Sequence, residues 1–151
     1  DGVVAALRTD LGPTWEISVI LHSEKADPCR LYAELADADM LLTPHGFQSM
    51  LLLFLPPGAA LFEIFPYKYW KEGYKPLALE WGASYEYIMS RSVTGYRGMV
   101  LFFVPQEVCM RSIHCRKFSR ADDVRLEPGH LQKVVQVARR AAKERKPYLD
   151  L

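Results

Sequence analysis

The sequence predicts an α/β fold, in which a Rossmann-like parallel sheet carries helices on both faces. One observation is that short apolar runs alternate with helical patterns through residues 1–90. A second is the stretch of residues 38–69, where two apolar runs flank a helical run and turn residues separate them. Two buried strands joined by a helix form a βαβ unit, whose strands are parallel and whose crossover is right-handed.

The first predicted elements are a helix, a strand and a second helix. Residues 2–11 place apolar side chains three to four positions apart, and Gly12 follows as a stop signal. Residues 16–22 alternate between polar and apolar side chains, which predicts a strand. Pro28 at a first helical position then predicts a helix over residues 28–38.

The βαβ unit comes next in the chain. We predict a strand over residues 39–43, a helix over 47–55 and a strand over 60–65. Residues 56–58, Pro-Pro-Gly, end the helix because proline cannot continue the helical hydrogen bonds and glycine permits the turn.

The remaining elements are less regular until the C-terminal helix. We predict a helix over residues 76–81, strands over 84–89 and Met99–Val104, and a helix over Pro128–Lys146. The last helix has one continuous apolar face, which we expect to pack on the sheet or on another half of the protein. That face comprises Leu131, Val134, Val135, Ala138 and Ala142.

Composition indicates an ordinary globular domain with uneven charge. A chain of 151 residues, half of them hydrophobic, is one domain by its length. Residues 1–90 hold 6 basic and 12 acidic side chains, and residues 91–151 hold 13 and 6, which gives net charges of −6 and +7. The basic part faces phosphate, an acidic partner or only solvent, and it lacks the interleaved aromatics that nucleic-acid binding would need. No stretch is apolar and long enough for a membrane span.

Three cysteines leave their own question open. Cys29, Cys109 and Cys115 lack the CxxC spacing of a structural zinc site. Cys109 and Cys115 form a disulfide if the intervening segment turns back, and otherwise they are reduced and buried.

The candidate site lies at the carboxyl edge of the predicted sheet. His45 and Gly46 follow the strand over residues 39–43 and open the next helix, where free backbone N–H groups and the helix dipole attract phosphate. Open α/β sheets bind ligands at this edge. The alternative is that Gly46 only permits the turn, while His45 caps the helix or packs against neighbouring side chains. As a turn residue, His45 is expected to be replaceable by alanine without loss of the fold.

The same residues resemble a motif of the family 61 glycosyltransferases. That family reads close to HGAGLTN, FLPPGA and a Glu followed by a Pro. This chain has HGFQSM over residues 45–50, FLPPGA over 54–59, then Glu63 and Pro66. The second half of the motif matches, whereas Phe47 and Gln48 stand where the family has Ala-Gly. The strong resemblance covers residues 33–87.

The resemblance implies a fold, an activity and a location. It implies the C-terminal, donor-binding half of a two-domain GT-B enzyme, so residues 1–151 would be one domain of a longer protein. It implies inverting transfer of a sugar from a nucleotide sugar, UDP-linked, to a hydroxyl on a glycan or glycoprotein. The base and acceptor site would lie in the N-terminal half, and the enzyme would work in the lumen of the endoplasmic reticulum or Golgi. The need for a divalent metal stays open, and no metal-binding residues are expected.

The predicted donor-binding residues come from three strand ends. Glu63 lies inside an apolar strand, so it needs a partner, which is a sugar, His45 across the neighbouring strand, or a structural Lys or backbone N–H. His22 and Ser23 follow the strand over residues 16–22, and Tyr67 opens an aromatic loop that either stacks on a sugar or covers the core. The full predicted set is Thr43, His45, Gly46, Phe47, Gln48, Ser49, Glu63, Tyr67, His22 and Ser23.

Two other classes compete with the transferase reading. The Phe47-Gln48 departure favours a non-catalytic module that keeps the transferase fold for binding or assembly. A hydrolase is disfavoured because the chain has no G-x-S-x-G elbow.

Overall fold

The chain forms a mixed α/β structure around a small open parallel sheet. A computed structural model describes residues 2–21, 27–91, 95–121 and 124–145. In chain order the elements are α1 (Gly2–Leu11), α2 (Pro28–Leu35), β1 (Met40–Pro44), a 3₁₀ helix (Phe47–Phe54), β2 (Ala60–Phe65), α3 (Lys75–Glu80), β3 (Ser84–Met89), α4 (Tyr96–Phe103), α5 (Gln106–Arg111), α6 (Ile113–Arg120) and α7 (Pro128–Glu144).

The sheet has three strands in the order β1-β2-β3, and both pairings are parallel. Thr43 of β1 and Tyr87 of β3 lie opposite Glu63 of β2 in the register. The predicted parallel pairing of residues 39–43 with 60–65 is therefore confirmed. β2 is the central strand and all of its residues are buried, which suits the apolar run that predicted it.

Helices cover both faces of this sheet. On one face α1 and α7 pack on Ala60, Phe62 and Ile64 of β2. On the other face α2, the 3₁₀ helix and α3 pack around Leu61 of the same strand. Since strand side chains alternate between the faces, Glu63 points to the second face with Leu61.

The segment predicted as a helix over residues 47–55 is 3₁₀ rather than α-helical. Pro56 has no N–H to give to the Leu52 carbonyl, as an α-helix would require. The N–H of Leu55 donates there instead, at 3.0 Å, in the shorter repeat of a 3₁₀ helix. The following Gly58 has φ of 84°, and a side chain there would collide with the backbone at the end of α7.

The predicted strand over residues 16–22 is wrong for the part that the structure describes. Residues 16–21 have no regular secondary structure and do not join the sheet, while His22 lies outside the described residues. Val19 and Leu21 are 60% and 80% exposed. The alternation that predicted a strand gives no stability when its apolar face meets no partner strand.

The predicted strand over Met99–Val104 is also wrong, because this run lies mostly in helix α4. A short apolar run without clear periodicity is compatible with either structure. α4 buries Gly98 and Leu101 and leaves Phe102 and Phe103 exposed.

The C-terminal helix packs on the sheet as predicted. α7 buries Val134 and Val135 in the core with β2, and Ala138 is buried as well. Ala142 is exposed, whereas Val137 and Ala141 are buried instead. Its predicted end, Lys146, lies outside the described residues.

A disulfide connects two of the C-terminal helices. Cys109 of α5 and Cys115 of α6 are bonded, with their Cα atoms 5.0 Å apart, and Cys29 is a free, exposed thiol. Among the helices described, none has both the length and the apolar character to cross a bilayer.

Candidate functional site

A cleft of about 340 Å³ opens beyond the carboxyl ends of β1 and β2. The β1 end contributes His45, Gly46 and Phe47, at the start of the 3₁₀ helix. The rest of the lining comes from the loop after β2 and from the end of α6, and comprises Tyr69, Lys71, Gly73, Tyr74 and Arg120. The cleft is therefore at the sheet edge where the sequence predicted a ligand.

Glu63 lies behind this cleft and is fully buried. Its Oε1 accepts the Ser49 hydroxyl at 2.5 Å and lies 2.8 Å from the His45 Nδ1. Its Oε2 accepts the Tyr85 hydroxyl at 2.8 Å. A buried carboxylate is costly unless hydrogen-bonded, and three donors from the 3₁₀ helix, β3 and the turn after β1 offset that cost.

His45 connects the buried carboxylate with the cleft. A carboxylate only accepts hydrogen bonds, so the contact fixes a proton on His45 Nδ1. Its Nε2 has no hydrogen-bond partner within the described residues. The ring can therefore accept a proton at Nε2 when neutral, or donate one there when protonated.

Aromatic packing holds the His45 ring in place. The ring stacks on Phe65 with a centroid distance of 4.3 Å, and the Tyr69 and Tyr74 rings lie 5.6 and 5.7 Å away. Only 6% of the His45 side chain is exposed. His45 thus occupies a fixed position in the cleft wall and is more than a turn residue.

The environment of Glu63 suppresses the acidity of the Tyr85 hydroxyl. Burial raises the pKa of the Tyr85 phenol well above its ordinary value, and the hydrogen bond to the Glu63 carboxylate and its negative charge raise it further. Tyr85 therefore stays a neutral donor to Glu63 at any physiological pH.

Apart from the buried Glu63, the predicted site residues divide into three groups. His45, Gly46 and Phe47 line the cleft. Thr43 and Ser49 are buried with their hydroxyls bonded inside the protein, Thr43 to the Pro44 carbonyl and Ser49 to Glu63, so neither presents a hydroxyl to a ligand. Gln48 is exposed but does not line the cleft. Tyr67 does not line it either, although Tyr69 of the same loop does. His22 and Ser23 lie outside the described residues.

Backbone donors remain at the start of the 3₁₀ helix. The N–H of Ser49 donates to the Gly46 carbonyl at 3.0 Å, so this group is not open to a ligand. The N–H groups of Phe47 and Gln48 precede the first bond of the helix and have no partner within it.

Sequence reasoning missed two cations of the cleft, and the partner of Glu63 on β3. Lys71 follows β2 by a few residues, and its place after a strand at the carboxyl edge was the signal that could have found it. Arg120 ends a helix that the sequence pattern did not predict, so nothing along the chain indicated it. Tyr85 was recognised only as part of a strand.

Metal binding has no support in the side chains described. In residues 2–21, 27–91, 95–121 and 124–145, no group of three or more His, Cys, Asp or Glu side chains is arranged to hold an ion.

Comparison with known proteins adds no relative. A scan against protein-family models found no match to this chain, and a search of curated proteins found no significant similarity.

Proposed function

We propose that this domain binds a nucleotide sugar and is the donor-binding half of an inverting glycosyltransferase of the GT-B type, similar to family 61. The observation that carries the proposal is the His45–Glu63 pair, in which a residue of the cleft wall contacts a carboxylate buried in the central strand. It links the two parts of the motif, HG and FLPPGA followed by Glu, in one structural unit.

The parallel sheet with helices on both faces supports this reading. Rossmann-like domains bind the phosphates of nucleotides at the carboxyl edge of the sheet, against the start of a helix. Here the cleft lies at that edge, and the turn that joins β1 to the 3₁₀ helix forms one of its walls. The GT-B assembly, with a second half that holds the acceptor, belongs to the proposal.

The proposed reaction is a direct displacement at the anomeric carbon. The acceptor oxygen forms the new bond to that carbon while the bond to the diphosphate oxygen breaks, and the diphosphate leaves with the electron pair. A base in the other half takes the acceptor proton. The Phe47 and Gln48 N–H groups and a proton on His45 Nε2 would stabilise the charge that develops on the leaving diphosphate.

The proposed donor is UDP-linked, the proposed acceptor is a hydroxyl of a glycan or glycoprotein, and the proposed location is the lumen of the endoplasmic reticulum or Golgi. The Cys109–Cys115 disulfide supports the location, because disulfides persist in oxidising compartments and are rare in the cytosol.

A non-catalytic module is the second candidate. Phe47 is 82% exposed at the cleft wall, where the family 61 pattern has a small residue. A large ring at this position narrows the approach of a diphosphate to the helix start. Such a domain would keep the fold and the His45–Glu63 pair and bind a different ligand.

A thermal-shift screen of the purified chain separates the two candidates. The panel contains UDP, GDP and CMP sugars, with free glucose as a control that lacks phosphate. Binding to the folded state alone raises the melting temperature. A shift with UDP sugars supports the donor-binding domain, and the absence of a shift with every nucleotide favours the non-catalytic module.

A further inference from the structure

Two cations line the cleft beside His45 and lie outside the sequence motif. Lys71 and Arg120 are both exposed, and the cleft lining contains no carboxylate. In the described parts of the chain neither cation forms an ion pair. The neighbouring acid, Glu72, pairs with Lys75 at 3.5 Å and does not line the cleft.

Two contacts hold the Arg120 end of α6 against the loop after β2. Its guanidinium lies 5.4 Å from the centre of the Tyr69 ring, and Tyr69 is itself 5% exposed. The preceding Ser119 is fully buried, and its hydroxyl donates to the Tyr67 carbonyl. This bond joins the end of α6 to the loop after β2, which also carries Lys71.

The charge of the cleft indicates which anion it fits. The His45–Glu63 pair is neutral when His45 is protonated, so the net positive charge of the site is that of Lys71 and Arg120. A planar guanidinium binds phosphate oxygens through two parallel N–H donors, and an ammonium group acts as a point charge. The unpartnered Nε2 of the buried His45 provides a third contact on the same wall.

We propose that Lys71 and Arg120 form a clamp for a diphosphate ester, so that this site takes nucleoside diphosphate donors in preference to donors linked through a single phosphate. The inference rests on the proposed function for the nucleoside and sugar, but the anion contacts stand on the cleft alone. The clamp neutralises both charges of a diphosphate diester, whereas a monophosphate diester has only one.

Isothermal titration of the purified 151-residue chain tests the clamp. The ligands are pyrophosphate, phosphate, UDP and CMP, each at low and high salt. We expect pyrophosphate and UDP to bind more tightly than phosphate and CMP, and added salt to weaken their binding because exposed cations are screened. Lys71→Ala and Arg120→Ala should each weaken the binding of pyrophosphate and UDP about ten-fold, which is the effect of losing one charge-assisted hydrogen bond.

Lys75 and Arg116 provide matched controls, because each lies four residues from one of the two clamp residues. Lys75→Ala and Arg116→Ala remove the same charges from residues that do not line the cleft, and they should leave affinity unchanged. All four variants should melt at the temperature of the unmodified chain, since each of these side chains is exposed or half-buried.

The outcomes also separate the clamp from the proposed function. Equal affinity of the clamp and control variants, or tighter binding of phosphate than of pyrophosphate, overturns the clamp. If pyrophosphate binds through Lys71 and Arg120 but no nucleotide does, the clamp is supported and the glycosyltransferase proposal fails. If CMP sugars bind and UDP sugars do not, the clamp is overturned and nucleotide-sugar binding stands.

Discussion

At the scale of single residues, Glu63 determines how the site is built. Its carboxylate is buried in the central strand and receives hydrogen bonds from Ser49, His45 and Tyr85. The same interaction fixes the proton on His45 Nδ1 and turns the other ring nitrogen into the group available for chemistry. The stability of the domain and its proposed function therefore both depend on this one side chain.

Glu63→Gln should destabilise the domain. Glutamine keeps the volume of the side chain, but its NH₂ group faces hydroxyl or imidazole donors, so buried groups are left without an acceptor. We expect a loss of about 3 kcal/mol in the free energy of unfolding, measured by urea denaturation. Glu72→Gln, at a side chain that is 57% exposed, is the control and should lose far less. Equal losses in the two variants would show that the Glu63 network contributes nothing.

Tyr85→Phe should change how stability depends on alkaline pH. The pKa of Tyr85 is raised in the folded state by burial and by Glu63, above the ordinary value of 10.0. Its contribution to stability is therefore fully present below pH 10.0 and is lost as the pH rises toward the folded pKa. Tyr85→Phe should lower the free energy of unfolding by about 1–3 kcal/mol at pH 7. The variant should then lose less stability than the unmodified chain as the pH rises above 10. Parallel alkaline melting curves for the variant and the unmodified chain would contradict this account.

The residue scale also shows what the sequence could not settle. A polar residue inside the apolar run 60–65 indicated that Glu63 needs a partner, and His45 was one of the partners considered. The burial of the His45 side chain was not predicted, because a position in a turn gives no information about packing against Phe65. Replacing His45 with alanine is now expected to lower stability, since Glu63 would lose a donor.

At the scale of elements, prediction succeeded where local and tertiary signals agree. β1, β2 and β3 have apolar residues at strand length with turn residues between them, and each lies within a residue or two of its predicted bounds. The runs at 16–21 and 99–104 look equally apolar, yet one has no partner strand and the other is helical. Pairing is a long-range property, so a local pattern does not determine it.

The disulfide between α5 and α6 should stabilise the cleft side of the molecule. Closing a loop of this length restricts the unfolded chain by about 2 kcal/mol in the chain-entropy model. Replacing both Cys109 and Cys115 by serine should therefore lower the free energy of unfolding by about 2 kcal/mol in urea. Cys29→Ser, at the free exposed thiol, is the control and should have little effect. Peptide mapping of unreduced protein that shows Cys29 bonded to either partner would contradict the pairing.

Ion pairs fasten α7 to β3 at Glu86. Its carboxylate lies 2.9 Å from Lys133 Nζ and 3.3 Å from an Arg140 guanidinium nitrogen. Burial alone would raise the pKa of Glu86, but hydrogen bonds to Lys133 and Arg140 hold it below the ordinary 4.5. The contribution is therefore present above pH 4.5 and is lost as the pH falls below it.

Glu86→Gln should lower the free energy of unfolding by about 0.5–1 kcal/mol at pH 7. The loss is small because Lys133 and Arg140 are partly exposed and solvent screens their charges. The difference in stability between the variant and the unmodified chain should vanish near pH 2, because Glu86 is then protonated in both the folded and the unfolded state. Thermal melts at the two pH values measure it, and a difference that persists in acid would assign the effect to packing instead.

At the scale of the whole molecule, the parallel sheet collects the site from distant parts of the chain. The turn after β1, the loop after β2 and the end of α6 meet at one edge. Only the first two could be placed from the sequence, through the rule that parallel strands end together. Arg120 reaches the cleft through α6, whose position depends on the disulfide and on Ser119.

The central proposal is that a nucleoside diphosphate binds in this cleft. The most direct test is a crystal structure of the purified chain grown with UDP. We expect the diphosphate beside the backbone N–H groups of Phe47 and Gln48 and within hydrogen-bond distance of His45 Nε2. Lys71 and Arg120 should contact its remaining oxygens. UDP bound elsewhere, for example in the groove beside Asp10 and Arg139, or a cleft without nucleotide at saturating UDP, would contradict it.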